Sequence, residues 1–408
     1  MKINKITFIL LILLLLSTFI AIFLTPCWGD EKYYHYPNVA NISVSNIIDR
    51  NSSYSSAYTP LPYVLGSILY EINDSIYLLR ILNYLILLIL IIYFYKISLG
   101  LRNDPLVLVL LLVSNPYLLR NSFVYYSGNY GLLFAVIGIY FYFFSIKKSK
   151  IIVAHIFWGL SILCQQWMLI IIFSIFLHEL NQLIKNKLDY AFFLRGILYK
   201  SLSLLPAIIL FLFWGGLTHP NFQQHKLTPS FIHLTGVLAN YGLIGTFIVM
   251  FNLKKFLKSQ YLLLLFFLPI IYFSVPAHSE IQGTNVITGV ASQLCTQLQK
   301  YLQFPYEISM FLLAAAGMML VVVIISKAND NFSSFLQYTI LGFLVAFSSS
   351  TVLGATHIFI SVPFIFLIFN SELREKKLLE NLVLTFFYLV SLFYIFYFSL
   401  YKTSGFNL

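Results

Sequence analysis

Charged residues are scarce in this sequence: Asp, Glu, Lys and Arg make up 10% of the 408 residues, whereas 60% are hydrophobic. Apolar runs of about 18 residues or more recur along the whole chain, and a water-soluble domain cannot bury that much apolar surface. The runs are continuous rather than alternating, which excludes the strands of a membrane β-barrel. The sequence therefore predicts an all-α, polytopic transmembrane helical bundle that forms one integral membrane domain over residues 1–408.

Cysteine is also rare, and the three present, Cys27, Cys164 and Cys295, are far apart and odd in number. This spacing excludes a disulfide framework and a cysteine-based metal site. No small-residue cleavage pattern follows the first apolar run, 6–24. We therefore expect that run to be a retained span rather than a cleaved signal peptide.

The apolar runs predict about thirteen spans, with residues 105–120 forming one span and residues 151–183 divided into two at Gln165-Gln166. Eighteen of the 25 Lys and Arg residues fall on the segments that this count places inside, with the N-terminus in the cytoplasm. That distribution satisfies the positive-inside rule. It also accounts for the net charge of +11 without a nucleic-acid partner.

The same topology places most histidines on the outer side. Six of the eight lie on outer loops or at outer span ends, namely His35, His219, His225, His233, His278 and His357. Most inner segments are short and rich in lysine. We therefore expect an active site to open on the outer face.

The first outer loop, residues 25–75, carries two adjacent carboxylates, Asp30 and Glu31, just before a run of tyrosines and His35. A helix that begins near Asp30 puts Glu31 and His35 one turn apart on a common face. Tyrosine rings in this segment offer flat surfaces for sugars. Composition alone leaves an alternative open, in which Asp30 is a helix N-cap and the tyrosines form an aromatic belt at the membrane interface.

Two further outer segments predict helices that lie at the membrane interface. Tyr58-Thr59-Pro60-Leu61-Pro62-Tyr63 leads into a short apolar helix over residues 64–72, which cannot span the bilayer. The outer loop 276–303 places Val286, Val290, Leu294 and Leu298 at four-residue steps, which is typical of an amphipathic interfacial helix.

The segment 30–37, together with Tyr58-Thr59-Pro60-Leu61-Pro62-Tyr63, resembles the GT-C superfamily of integral membrane glycosyltransferases. The likeness is to the dolichyl-phosphate-glucose α-1,2-glucosyltransferase branch, and more loosely to protein mannosyltransferases and the lipid A aminoarabinose transferase. It covers the first third of the chain, with weaker echoes in Leu79-Arg80-Ile81-Leu82-Asn83 and around His357.

The resemblance implies a hexosyltransferase that moves a sugar from a polyprenyl-phosphate donor to a glycan, glycolipid or protein acceptor. Such a protein lies in the cytoplasmic membrane of a bacterium or the endoplasmic reticulum of a eukaryote, with its site on the outer or luminal face. The catalytic carboxylates are then Asp30, as general base, and Glu31. The departing phosphate needs cationic or hydrogen-bonding groups, or a divalent cation.

Candidates for contact with the donor and acceptor come mainly from the outer side of the chain. They are Tyr33, His35, Tyr58, Arg120, His219, His225, Lys226 and His357. The spacing of His219 and His225 does not predict a metal site, so a bound divalent cation is a candidate without an assigned ligand set.

Two other functions fit a chain of many spans. A polysaccharide polymerase or ligase also uses an outer catalytic loop, but such proteins more often place arginines in a late loop, and residues 276–303 contain none. A transporter or flippase of lipid-linked sugars typically shows internal repeats or charges in mid-span. The sequence has no clear repeat and few such charges.

Overall fold

The computed structural model describes residues 5–27, 31–49, 54, 56, 58–101, 104–145, 150–221, 229–256, 267–275, 290–326, 330–349, 355–397 and 399. Every regular element in these ranges is helical, which confirms the predicted all-α class. The chain divides into two compact units. Unit 1 comprises residues 1–223 with 386–408, and unit 2 comprises residues 224–385.

Unit 1 contains eleven helices of its own among the described residues, besides the end of the last helix, α19. They are α1 (Lys5–Leu24), α2 (Tyr36–Ala40), α3 (Val44–Ile48), α4 (Leu61–Tyr70), α5 (Ile76–Leu101), α6 (Pro105–Val113), α7 (Pro116–Phe123), α8 (Gly128–Phe143), α9 (Lys150–Cys164), α10 (Leu169–Ile184) and α11 (Tyr190–Trp214). A π-helical turn, Glu31–His35, precedes α2, and a 3₁₀ turn, Gln166–Met168, precedes α10.

Six helices in the described part are long and apolar enough to cross a bilayer, and their surfaces agree with that role. They cover 5–24, 76–101, 166–184, 190–214, 306–326 and 377–396. On α1, for example, Ile6, Ile9 and Leu16 leave more than half of their surface exposed, which is costly in water but favourable against lipid. The protein is therefore an integral membrane protein, while the count of thirteen spans stays a prediction.

Two breaks interrupt the apolar runs of unit 1. The predicted division of 151–183 is confirmed, because α9 ends at Cys164 and α10 begins at Leu169. The predicted span 105–120 is instead two helices, α6 and α7, bent by 66°. Asn115 explains the new start, since its side chain accepts the backbone N–H groups of Tyr117 and Leu118, and Pro116 needs no partner at the first helical position.

The first loop folds against the helices of unit 1. The predicted short helix is confirmed as α4, which is ten residues long. Tyr54, Tyr58 and Tyr63 from this loop are buried in one cluster with Tyr125 and Trp214. The aromatic loop is therefore part of the folded core of unit 1.

Unit 2 contains the remaining described helices. They are α12 (Phe231–Phe256), α13 (Leu268–Phe273), α14 (Val290–Leu302), α15 (Tyr306–Ser326), α16 (Asn331–Ser348), α17 (Ala355–Ile368), α18 (Asn370–Glu375) and the first part of α19 (Lys377–Phe396). α12 and α15 pack backbone against backbone, because a Cβ at Gly242 would lie 1.9 Å from the Leu313 carbonyl oxygen. Only glycine permits that approach.

Helix α14 lies in the segment predicted to be interfacial. Its buried residues are Val290, Ala291, Ser292 and Cys295, rather than the predicted stripe that continues through Leu294 and Leu298. The reason is local packing on α15, where the hydroxyls of Ser292 and Tyr306 are 3.1 Å apart. Val286 lies outside the described residues, and the interfacial role of this helix stays a prediction.

Candidate active site

The acidic segment is anchored by a buried ion pair between Glu31 and Arg80. Arg80 Nε donates to Glu31 Oε1 at 2.8 Å and Nη2 donates to Oε2 at 2.6 Å, and both side chains are fully buried. The Tyr125 backbone N–H also donates to Glu31 Oε1, at 2.7 Å. Both oxygens of Glu31 are thus engaged with groups of the protein itself.

Arg80 also binds the chain that precedes Asp30 and Glu31. Its Nη1 donates to the carbonyls of Ile22 at 2.8 Å and Thr25 at 2.5 Å, and Nη2 donates to Pro26 at 3.0 Å. One guanidinium therefore holds the chain before and after Asp30, which itself lies outside the described residues.

His35 occupies an aromatic cage. Its Nδ1 lies 2.7 Å from the Tyr63 hydroxyl, which in turn lies 2.7 Å from the Ser56 hydroxyl. The His35 ring centroid is 4.3 Å from that of Tyr126 and 5.7 Å from that of Tyr58. The predicted candidates His35 and Tyr58 are therefore neighbours, and both are buried.

The π-helical turn separates buried from exposed side chains. Glu31 and His35 face the protein interior, as their predicted common face requires, although they bind different partners. Tyr33 and Tyr34 remain 67% and 39% exposed. Tyr36 differs from both, because its hydroxyl donates to the Asp74 carbonyl and partial burial raises its pKa to about 12.

Arg120 lies at the end of the bent α6–α7 pair, close to the same cage. Its guanidinium carbon is 4.8 Å from the Tyr126 ring centroid, and Nη2 donates to the Tyr126 hydroxyl at 3.2 Å. Tyr126 is thus shared between Arg120 on one side and His35 on the other. Arg120 is half-buried, so a ligand can approach a cation that a ring already positions.

Asn83 of α5 binds the turn between α7 and α8. Its Nδ2 lies 2.9 Å from the Asn121 carbonyl, 3.1 Å from that of Val124 and 3.0 Å from that of Tyr126. Asn83 is fully buried, like Arg80 one turn before it. Together these two side chains hold the acidic segment and the Arg120 turn on one face of α5.

His219 is in the same aromatic cluster but is bound to main chain on both ring nitrogens. Its Nε2–H donates to the Asp49 carbonyl at 3.1 Å, and Nδ1 accepts the Asn221 N–H at 3.3 Å. Burial lowers its pKa below the ordinary value of 6.5. These contacts describe a neutral imidazole that ties two loop segments together.

Three predicted candidates are not placed by the structure. His225 and Lys226 lie outside the described residues, as Asp30 does. His357 is part of α17, but its side chain is outside the described part. Their roles stay predictions, as does that of a divalent cation. In the described ranges no three His, Cys, Asp or Glu side chains converge as a metal site would require.

Cys27 lies beside the ion pair. Its thiol reaches the surface, but partial burial, and then the Glu31 charge, raise its pKa from the usual 9.0 to about 11. The side chain is therefore a protonated thiol at neutral pH.

An apolar groove of about 510 Å³ runs between α1 and the end of α19. Its walls include Ile20 and Leu24 on one helix and Phe393 and Phe396 on the other. The hydroxyl of Ser399, a lining residue, lies 3.2 Å from that of Thr25. The groove is thus one contact away from Thr25, whose carbonyl binds Arg80.

Arg80, Asn83, Tyr63 and Tyr126 were not singled out as site residues from the sequence. A signal existed for two of them, because a charge and an amide one turn apart inside an apolar span are costly unless each finds a partner. The contacts of Tyr63 and Tyr126 depend on which ring reaches His35, and residue spacing carries no such information.

Comparison with known proteins assigns no family to the chain. No protein-family model and no curated protein matches it. A solved structure to which the chain is similar is ArnT from Cupriavidus metallidurans bound to undecaprenyl phosphate, at 9% sequence identity and a TM-score of 0.44, covering 99% of this chain and 79% of that one. This likeness assigns neither a family nor a function to the chain.

Proposed function

We propose that this protein is a GT-C-type integral membrane glycosyltransferase that moves a sugar from a polyprenyl-phosphate donor to an acceptor hydroxyl. The observation that carries the proposal is the Tyr125 N–H bond to Glu31, with the adjacent Tyr126 under the Arg120 guanidinium. Through Tyr125 and Tyr126, the segment that carries Asp30 is joined to the half-buried guanidinium of Arg120. A carboxylate beside a cation is the combination that glycosyl transfer from a phosphate requires.

Asp30 is the general base in this proposal. The acceptor oxygen forms a bond to the anomeric carbon while the bond from that carbon to the phosphate oxygen breaks. The acceptor proton passes to the Asp30 carboxylate, and the electron pair leaves with the phosphate. Glu31 does not share this task, because both of its oxygens are engaged with Arg80 and Tyr125.

Arg120 is the proposed partner of the phosphate. A guanidinium binds phosphate oxygens through paired, charge-assisted hydrogen bonds, and it stabilises the charge that develops as the bond breaks. The groove between α1 and α19 offers apolar walls to a lipid carrier. Tyr394, the chain neighbour of the lining residues Phe393 and Ile395, donates its hydroxyl to that of Tyr117 at 3.3 Å. Tyr117 precedes Arg120 by one turn of α7.

The acceptor side is supported by Tyr33 and Tyr34. These exposed rings follow Asp30 within one turn and offer surfaces on which a sugar ring can stack. We propose that a glycan, a glycolipid or a glycosylated protein presents its hydroxyl there. The site faces the outer or luminal side, with the N-terminus in the cytoplasm.

The test is transfer by purified protein in proteoliposomes, with a panel of polyprenyl-phosphate sugars and extracted glycolipids as acceptors. Asp30→Asn is expected to lower the rate about 10²- to 10⁴-fold, with donor binding retained. Asp104→Asn is the matched control, because that carboxylate begins α6 on the side predicted to be inner, and its rate should equal wild type. Full activity of Asp30→Asn would overturn the base assignment.

Failure of the wild type with every donor would overturn the transferase itself. Sidedness is tested separately in sealed cells with a membrane-impermeant maleimide. In a cysteine-free background, Asn73→Cys should react before permeabilisation and Lys187→Cys only afterwards, since both positions are exposed on opposite predicted sides. The reverse order would overturn the orientation.

A further inference from the structure

Helix α5 carries two polar side chains three residues apart in an otherwise apolar stretch. Arg80 and Asn83 lie on the same face, and each is 0% exposed. A charge and an amide buried among apolar side chains cost free energy unless other groups satisfy them. Here the hydrogen-bond partners of the Arg80 guanidinium and of the Asn83 amide nitrogen belong to two chain segments outside α5.

The first segment is the one that carries Asp30. The Arg80 guanidinium binds the carbonyls of Ile22, Thr25 and Pro26 before it and the carboxylate of Glu31 after it. The fork of an arginine is planar and rigid, so it sets the spacing of everything it binds. A lysine could neutralise Glu31 but could not reproduce this fork.

The second segment is the turn that follows Arg120. The single amide nitrogen of Asn83 lies within 3.1 Å of three carbonyls of that turn, those of Asn121, Val124 and Tyr126. A carboxamide has two N–H hydrogens, so the three acceptors share them. The turn therefore closes around one side chain of α5.

The two segments meet on a single oxygen atom. Glu31 Oε1 accepts from Arg80 Nε at 2.8 Å and from the Tyr125 backbone N–H at 2.7 Å. Arg80 and Asn83 are three residues apart on one helix, so the spacing between the two segments that they bind is fixed as well. The register of α5 thus fixes the distance between the acidic segment and the Arg120 turn.

We propose that Arg80 and Asn83 are positioning residues, which set Arg120 and its phosphate against the segment that carries the base. This inference rests on the proposed transferase function. A buried ion pair can often be replaced by apolar residues without loss of stability. We therefore attribute the buried polar side chains of Arg80 and Asn83 to the positions in which they hold the two segments. A misplacement of about 1 Å between reacting groups costs about 10²-fold in rate.

The test compares Asn83→Leu and Arg80→Lys with Asn240→Leu. Asn240 is a buried amide of unit 2 that donates within its own helix, to the Gly236 carbonyl. For protein that remains monodisperse and helical, both variants should lose about 10²-fold in kcat. The KM for the lipid donor should change little, because neither substitution alters the apolar walls of the groove. The control should keep the wild-type kcat.

A second readout does not depend on activity. The pKa of the Cys27 thiol is raised to about 11 in the wild type, and Cys27 lies between Pro26 and Glu31, which Arg80 binds. Burial is the largest cause of the raised pKa, and Arg80→Lys keeps the positive charge that lowers it. A loosened segment in Arg80→Lys should therefore lower the pKa of Cys27 towards 9.0, whereas Asn83→Leu, which leaves the ion pair intact, should not. Maleimide labelling against pH measures both, in a Cys164→Ser, Cys295→Ser background.

The two readouts separate the two proposals. A kcat per folded molecule equal to wild type in both variants would overturn the positioning role. If the wild type transfers no sugar, the proposed transferase function is overturned. The titration of Cys27 still tests whether Arg80 holds the segment that carries Asp30, and an unchanged Cys27 pKa in Arg80→Lys would overturn that role. Asn83→Leu keeps the test available if Arg80→Lys does not fold.

Discussion

Two buried ion pairs in the described part of unit 1 are built from different cations. In the first, Arg80 binds Glu31 and three main-chain carbonyls. In the second, Lys200 of α11 binds Glu179 of α10, which also accepts the Tyr142 hydroxyl of α8 at 2.7 Å. The first pair holds loop segments to a helix, whereas the second joins three helices through side chains.

The difference follows from what each cation can donate. An arginine presents five N–H groups in a fixed plane and can organise main chain around itself, whereas a lysine is a compact charge on a flexible stem. The Arg80 pair therefore specifies geometry at the proposed active site. The Lys200 pair specifies which helices meet.

The largest expected effect on the free energy of unfolding follows the removal of one cation. Arg80→Met leaves the Glu31 carboxylate buried without its cation, and we expect the free energy of unfolding to fall by about 3–5 kcal/mol. Lys200→Met should cost less, because Tyr142 continues to donate to Glu179. Unfolding in detergent micelles by heat or urea measures both, and equal losses would contradict the comparison.

Replacing both members of each pair sharpens the contrast. Lys200→Met with Glu179→Leu should recover most of the loss, to within about 1 kcal/mol of wild type, since apolar residues can replace a buried pair. Arg80→Met with Glu31→Leu should not recover, because three carbonyls and the Tyr125 N–H lose their partner at about 1–3 kcal/mol each. Recovery in both double variants would show that Arg80 is no more than an ion-pair partner.

Cys27 reports on the first pair alone. With a thiol pKa of about 11 instead of 9.0, its thiolate fraction at pH 8 is about 100-fold lower than that of an ordinary cysteine. Maleimide labelling at that pH should be correspondingly slow in the native protein and fast after unfolding. Glu179→Gln is the control and should leave the rate unchanged, whereas rapid native labelling would contradict the thiol's burial.

Gly196 tests the second pair sterically. A Cβ there would lie 2.8 Å from Glu179 Oε2 and 3.1 Å from Lys200 Nζ, so Gly196→Ala must displace the pair. Overpacking costs about 1–3 kcal/mol and the better helix propensity of alanine offsets about 1 kcal/mol of it, so we expect a net loss of up to about 2 kcal/mol in unfolding free energy. Gly216→Ala is the matched control, because no atom lies within 4 Å of the added carbon. A neutral Gly196→Ala would mean that the pair moves freely.

The smallest expected effect concerns His219, which ties loop segments without a charge. Because burial lowers its folded pKa, its contribution to stability is complete above pH 6.5, the ordinary value, and is lost as the pH falls below it. Melting temperature between pH 7 and 5 should therefore fall more in the wild type than in His219→Gln. Parallel curves would contradict a buried, neutral imidazole.

Much of the fold was predictable because it depends on local composition. Long apolar runs predict the six span-length helices, and Gln165-Gln166 marks the break between α9 and α10. The bend at Asn115-Pro116 has an equally local cause, a capping side chain followed by proline. That signal was available and was outweighed by the apolar residues on either side.

The candidate site was predictable only in its chain segment. The sequence places Glu31 and His35 on one face, yet their partners are Arg80, 49 residues away, and Tyr63, 28 residues away. Pairing over such distances depends on how helices pack, which no local pattern records. For the same reason the contacts of Glu31, predicted as a catalytic carboxylate, with Arg80 and the Tyr125 N–H could not be read from the sequence, and the anchoring role argued from them is a proposal.

The groove between α1 and α19 is lined by two helices that are far apart in the sequence. Thr25 and Ser399, whose hydroxyls are in contact beside it, are separated by 374 residues. At about 5–20 residues per second, translation would reach Ser399 roughly 20–75 seconds after Thr25. During that interval Ser17 and Ala21 of α1 lack the α19 residues that line the groove with them, so the groove forms only after α19 has been synthesised.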